Sequence, residues 1–117
     1  ICVNPCQVKA CSEFLGAGSP VAVVACISPW GGTDTTDIKI KQVRRALRDG
    51  AKIVEVTVPV PAIKEGDWAY VRRALKKLAD GADAPGRLAT LFECGASLAG
   101  SASAIAMAQT ILSVAEK

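Results

Sequence analysis

Residues 49–58, Asp-Gly-Ala-Lys-Ile-Val-Glu-Val-Thr-Val, are the strongest indication of the fold because they join the glycine stop of a basic helix to a β-branched strand. Successive side chains of a strand point to opposite faces. One face of this strand carries three valines, which suit contact with helices, and the other face carries Glu55. A carboxylate in a strand that otherwise looks buried is costly unless it has a partner or a function. Glu55 is therefore the first candidate functional residue.

The bulk composition is that of one ordinary globular domain, spanning residues 1–117. Half of the residues (50%) are hydrophobic, 21% are charged, and the formal net charge is +3, so the chain can bury a core. The charge excess is too small to indicate nucleic-acid binding. Lys and Arg gather on two helices beside apolar positions, which predicts solvated helix faces rather than a phosphate-binding surface.

The cysteines are odd in number, and the chain has no histidine. No two cysteines have the Cys-x-x-Cys spacing, so the pattern predicts no zinc site and no histidine-based catalytic triad. We also expect no other metal site and no cofactor. Most of the cysteines have apolar neighbours, which favours small core residues in a reducing, intracellular compartment. The cytoplasm is the first expectation, and an organelle is the alternative. The five are Cys2, Cys6, Cys11, Cys26 and Cys94.

Four β-rich runs alternate with four helical patterns, an order typical of βα units around a parallel sheet. The run at 21–28 is almost entirely apolar, as expected for a strand covered on both faces. The predicted fold class is therefore α/β, with about four parallel strands that are each followed by a helix. The strands are predicted at 1–4, 21–28, 52–58 and 88–93.

Capping and stop residues predict where the first three helices begin and end. Each of these helices has an apolar face at helical spacing, and that of the first helix includes Phe14. The predicted caps are Thr35, Thr36 or Asp37 for the second helix and Asp67 for the third, and the predicted stops are Gly16, Gly50 and Gly81.

The fourth helical pattern, from Ser101 to Lys117, is unusual because residues 94–115 contain no charge. A helix that is uncharged all round is usually buried, and small residues along it suit close packing against another helix. Its richness in Ala, Ser and Gly argues against a membrane span. We expect a protein partner or a second copy of the chain to cover it.

Glu93 is a second candidate carboxylate. If the third and fourth strands are parallel neighbours, Glu55 and Glu93 both face the interior near the strands' C-terminal ends, where α/β barrels place their chemistry. The alternative is that each Glu pairs with a nearby Lys or lies at an exposed sheet end.

The glycine-rich turn at 28–36 follows a strand and precedes a helix. Such backbone could bind an anion. It is neither a Walker loop nor a Gly-x-Gly-x-x-Gly turn, so an ordinary βα turn with capping residues is favoured.

The order and spacing of these motifs resemble deoxyribose-phosphate aldolase over nearly all of the chain. The resemblance implies a TIM barrel and a class I aldolase. Since a typical barrel has about 250 residues, we expect this chain to form a partial TIM barrel, roughly half of one. Such an enzyme cleaves 2-deoxyribose 5-phosphate to acetaldehyde and glyceraldehyde 3-phosphate through a lysine Schiff base, without a metal. The similar segments are Ile-Cys-Val-Asn-Pro at 1–5, the turn at 28–36, Lys39, Arg-Arg-Ala at 44–46, Asp-Gly-Ala at 49–51, the strand with Glu55, Ala-Ile-Lys-Glu-Gly-Asp at 62–67 and Leu-Phe-Glu-Cys-Gly at 91–95.

The chain departs from the family's pattern at positions that matter for catalysis. Glu55 falls where the family has its acid/base aspartate, and its side chain is one methylene longer. Ala89 stands where the family has a lysine, and prolines at 59 and 61 restrict the following loop. The family's Schiff-base lysine lies on a later strand, and no lysine of this chain matches it. We expect the lysines present to be solvated.

Two hypotheses follow. In the first, the chain is a non-catalytic relative that serves as a structural or interaction subunit of a larger assembly, where a partner or second copy covers the open barrel edge. In the second, it is a portion of an active aldolase that uses Glu55 as the acid/base group and takes its Schiff-base lysine from elsewhere. The departures favour the first.

Overall fold

The computed structural model describes residues 1–82 and the backbone of 88–89. These residues form a parallel sheet whose four strands are ordered β1-β2-β3-β4, as the chain order predicts. Glu93, Cys94 and the helix predicted from Ser101 lie outside the described residues, and the extent of the domain stays a prediction. The strands are β1 Cys2–Val3, β2 Val24–Ile27, β3 Ile53–Val56 and β4 Leu88–Ala89.

Four helices connect and follow these strands, and a 3₁₀ turn at Pro5–Gln7 precedes the first of them. The predicted alternation is confirmed in the described residues, with one addition. Pro59-Val60-Pro61, which we expected to be a restricted loop, leads into a short helix, because a proline is tolerated in a helix's first turn. The helices are α1 Val8–Leu15, α2 Thr36–Arg48, α3 Val60–Lys64 and α4 Trp68–Ala82.

The core lies between one face of the sheet and helices α1, α2 and α4. Ala25, Ile27, Val54 and Val56 supply its sheet side. Every second residue of β2 and β3 is buried, which confirms that the valine face of β3 meets the helices. The buried residues on the helix side are Val8, Ile40, Val43, Ala46, Leu78 and Ala82.

The predicted caps are present. The Thr35 side chain accepts a hydrogen bond from the Ile38 backbone N–H at 3.4 Å, and Asp67 accepts one from the Tyr70 N–H at 2.9 Å. Gly16 and Gly50 follow α1 and α2 with positive φ, the conformation that glycine adopts most easily.

Two details of the helix predictions are wrong. Gly81 lies inside α4 rather than beyond its end. A Cβ at this position would lie 2.7 Å from Ile40 Cδ1, so the glycine permits close packing of α4 on α2. Phe14 is 91% exposed, although its spacing placed it on the apolar face of α1. In the described part of the chain, no helix is long and apolar enough to cross a bilayer.

Candidate functional site on the open face of the sheet

The face of the sheet opposite the helices is only partly covered in the described residues. Val24, Cys26, Ile53 and Glu55 lie on this face of β2 and β3, and each is half-buried, whereas the residues between them are buried. We call this surface the open face. In a closed α/β barrel the corresponding face lines the interior, so the structure places Glu55 on the side predicted for it.

Strand register brings two cysteines to Glu55. Cys26 and Glu55 are direct partners across β2 and β3, and Cys2 pairs with Val24 on the neighbouring strand. The Glu55 Oε2 atom lies 3.6 Å from Cys2 Sγ and 3.7 Å from Cys26 Sγ. A carboxylate and two sulfur atoms from three consecutive strands therefore meet at one point of the open face.

Cys2 and Cys26 form a disulfide. Their Cα atoms are 6.5 Å apart, within the usual range for such a bond. The prediction that the cysteines are small core residues is wrong for this pair, because Cys2 is exposed and Cys26 is half-buried on the open face. Cys6 and Cys11 are free thiols, and only Cys11 packs against the core.

The glycine-rich turn is a closed βα connection. Ser28 is buried with a φ of 55°, and its carbonyl and hydroxyl oxygens accept hydrogen bonds from the N–H groups of Gly32 and Asp34 at 3.1 and 3.3 Å. These donors are satisfied within the loop, which supports the turn interpretation over an anion site. Trp30, at the tip of the loop, is 88% exposed.

Lys39 contradicts the expectation that the lysines of this chain are solvated. It is only 5% exposed, and its Nζ donates hydrogen bonds to the carbonyl oxygens of Gly32 at 2.7 Å and Thr57 at 2.8 Å. The ammonium group thus ties the loop after β2 to the end of β3. Burial lowers the pKa of Lys39 to about 8, although the negative charge of Asp34 partly opposes this effect.

The burial of Lys39 could have been predicted from the spacing of the residues on the apolar face of α2. Lys39, Val43 and Ala46 follow one another at helical spacing on the buried face of α2. A lysine in that stripe needs hydrogen-bond partners, and two backbone carbonyls provide them.

The other lysines of residues 1–82 are exposed, and within β1 to β3 no lysine lies on the open face. That none of them is a Schiff-base residue stays a prediction. Ala89 pairs directly with Glu55 across β3 and β4. Ala89, which stands where the family that the chain resembles has a lysine, is thus next to the Glu55 carboxylate in the sheet.

Comparisons with known proteins identify deoxyribose-phosphate aldolases as relatives of this chain. The chain is 35% identical over 80 residues to a deoxyribose-phosphate aldolase of Thermococcus gammatolerans, covering 67% of this chain and 35% of that protein. It is 32% identical over 93 residues to deoxyribose-phosphate aldolase 1 of Bacillus licheniformis, covering 80% of this chain and 41% of that one. The chain therefore spans about a third to two fifths of the length of these relatives. No protein-family model matches it.

Solved aldolase structures share the fold. One described as QR15, an aldolase, has a TM-score of 0.61 and 30% identity, covering 68% of this chain and 35% of that chain. Another, from Coccidioides immitis and described as a candidate deoxyribose-phosphate aldolase, has a TM-score of 0.64 and 27% identity, covering 69% and 32%. These matches confirm the predicted partial α/β barrel. Over the matched two thirds or more of its length, the chain belongs to the deoxyribose-phosphate aldolase family.

Proposed function

We propose that this chain is a non-catalytic member of its family that serves as a structural or interaction subunit of a larger assembly. The observation that carries the proposal is the contact between the Glu55 carboxylate and two sulfur atoms, at 3.6 and 3.7 Å. In the resembling enzymes the equivalent carboxylate and a bound water move protons. Here the disulfide of Cys2 and Cys26 lies beside Oε2 of this carboxylate and restricts the space for such a water.

Two further features support loss of the chemistry. Glu55 is one methylene longer than the aspartate of the family, and a displacement of about 1 Å can cost about 100-fold in rate. Ala89 lies beside it in the sheet register and provides no amine. The longer side chain of Glu55 changes a distance on which proton transfer depends, and Ala89 lacks the amine that the family has at this position.

The open face supports a role in assembly. Among the described strands β2 and β3 are central, yet Val24 and Ile53 are only half-buried on the open face, and β1 lies at one edge of this described sheet. Apolar side chains and unpaired strand edges are stabilised when another surface covers them. The partner that we propose is a protein, either a second copy or another chain, that covers the open face and the helix predicted from Ser101.

One observation favours the alternative, that the chain is part of an active aldolase. Glu55 lies on the central strand β3 and faces the side that lines a barrel, as an acid/base residue of this family would. Under this alternative the Schiff-base lysine comes from another segment or another chain.

Schiff-base trapping separates the two functions. The protein purified from its native source is incubated with acetaldehyde, reduced with borohydride and mapped by mass spectrometry, with the Thermococcus gammatolerans aldolase as a positive control. We expect no lysine adduct on this chain or on a copurifying subunit, because the described residues present no lysine to the site. An adduct on one lysine would contradict the proposal.

Turnover of 2-deoxyribose 5-phosphate and the native mass provide independent readouts. An acid/base residue contributes about 10²–10⁴-fold to rate, so Glu55→Gln would lower turnover by that factor if the enzyme alternative were correct. We expect that neither the parent protein nor Glu55→Gln turns over 2-deoxyribose 5-phosphate. Light scattering of the native material should give at least twice the mass of one native subunit, as measured by denaturing mass spectrometry, and a monomer would contradict the assembly role.

A further inference from the structure

We propose that Cys2, Cys26 and Glu55, when the two cysteines are reduced, form a binding site for Zn²⁺ on the open face. This site goes beyond the proposed function and does not depend on it. It also departs from the expectation of no metal site, which rested on the absence of histidine and of close cysteine pairs in the sequence.

The geometry of the three side chains suits a metal ion. One ligand atom from each lies within 4.8 Å of the others. Zinc binds thiolate sulfur at about 2.3 Å and carboxylate oxygen at about 2.0 Å in a tetrahedral arrangement, which places sulfur and oxygen ligands about 3.5 Å apart. The two separations between sulfur and Glu55 Oε2, 3.6 and 3.7 Å, are close to this value already.

The donor set favours zinc over the hard divalent ions. Thiolates select borderline and soft metals, whereas Mg²⁺ and Ca²⁺ require oxygen ligands. Two thiolates and one carboxylate supply three protein ligands, and because Cys2 is exposed, water can take the fourth position. Each thiolate forms with release of a proton, so affinity should rise with pH.

Rigid positioning supports the site. All three ligands lie on strands of one parallel sheet, and the hydrogen-bonded register of β2 with β3 fixes Cys26 opposite Glu55. Sites on regular elements are held more closely than sites on loops. Only the two sulfur atoms must move, to about 3.8 Å apart, when the disulfide opens.

The disulfide form cannot bind the metal in this way, since its sulfur atoms are bonded to each other. Reduction by a trialkylphosphine opens the bond: the phosphine takes oxygen from water and becomes a phosphine oxide, and two thiols form. The phosphine provides the two electrons. Metal binding to the reduced protein then displaces the two thiol protons.

The test is metal titration of the full chain before and after phosphine reduction. We expect the reduced protein to bind one Zn²⁺ in competition with a chromophoric chelator, and the disulfide form to bind none at this site. Substitution with Co²⁺ should give thiolate-to-cobalt charge-transfer absorption and the intense visible bands of a tetrahedral site. Equal binding by the reduced and disulfide forms would overturn the proposal.

Matched variants locate the ligands. Cys2→Ser and Cys26→Ser should each weaken zinc binding by at least about 10- to 100-fold, the range seen when an outer-shell partner of a metal ligand is lost. Glu55→Gln should weaken binding but keep the charge-transfer band. Cys6→Ser and Cys11→Ser are the controls and should bind as the parent does. A loss of binding in either control, with Cys2→Ser unaffected, would place the metal elsewhere and overturn the site.

Alkylation of the unmodified protein gives a readout that does not depend on variants folding. After reduction, Zn²⁺ should protect Cys2 and Cys26 from iodoacetamide while Cys6 reacts at an unchanged rate, as measured by peptide mass spectrometry. Protection of Cys94 with neither Cys2 nor Cys26 protected would refute the assignment.

Discussion

Replacing Gly32 with alanine should lower the free energy of unfolding by about 3 kcal/mol or more. Gly32 has a φ of 64°, where an L-residue costs about 1–2 kcal/mol. A Cβ at this position would also overlap the carbonyl group of Val58 and approach the Thr57 oxygen to 2.7 Å. These neighbours are backbone atoms of the two residues that follow β3, and the Thr57 N–H is hydrogen-bonded to Ile27 of β2 at 3.1 Å, so they cannot move without disturbing the sheet. Denaturant unfolding followed by circular dichroism measures the loss.

Substitutions at two other glycines separate the cost of the positive φ from the cost of steric overlap. Gly66 has a similar φ of 73°, but nothing lies within 4 Å of its added Cβ, so Gly66→Ala should show only the conformational cost of about 1–2 kcal/mol. Gly18 has neither constraint, and Gly18→Ala should be close to neutral. If the Gly32 and Gly66 variants lose the same stability, the steric contact of a Cβ with Thr57 and Val58 does not explain the requirement for glycine at position 32.

Replacing Lys39 with methionine should change how stability depends on pH. The pKa of Lys39 is about 8 in the folded chain, whereas the ordinary value for a lysine, which applies to the unfolded chain, is 10.5. Between these values the unfolded chain binds one more proton than the folded chain, so the stability contributed by Lys39 rises with pH and is lost as pH falls through 8. The difference of 2.5 between these two pKa values corresponds to a rise in unfolding free energy of at most about 3.4 kcal/mol. Residual solvent screening lowers the expected rise to about 2 kcal/mol.

The measurement is the difference in unfolding free energy between the parent and Lys39→Met at pH 7 to 10.5. We expect this difference to shift in favour of the parent as pH rises, because neutral Lys39 keeps its hydrogen bonds to Gly32 and Thr57 without the cost of a buried charge. Lys41→Met, at an exposed position of the same helix, should track the parent at every pH. A parent and a Lys39 variant with parallel pH profiles would show that this ammonium group is effectively solvated.

Much of the fold could be predicted because its signals are local. Thr35 and Asp67 cap helices in the structure as their side-chain chemistry predicts, and period-two alternation placed Glu55 opposite the helix-facing valines. The error at Gly81 arose because a glycine that ends a helix and one that admits a neighbouring helix look alike in sequence. Only the contact with Ile40 distinguishes them.

The site was harder to predict because it depends on strand register. Cys2 and Cys26 are 24 residues apart, and nothing local to either shows that the first strand pairs with the second in the offset that joins them. The same holds for Lys39, whose two carbonyl partners come from a loop and from the end of a different strand. Sequence periodicity assigned the two faces of β3 correctly, but it could not say which side chains on a face would touch.

The strand order has a consequence for how the chain acquires its structure. Each described strand pairs only with the strand before it and the strand after it in the chain, so every pairing closes a loop of one βα unit, and the cost of loop closure stays moderate. Each described βα unit can therefore dock on the unit before it as the polypeptide leaves the ribosome. Folding rates depend on the sequence distance of contacts, and in this topology that distance does not increase as units are added.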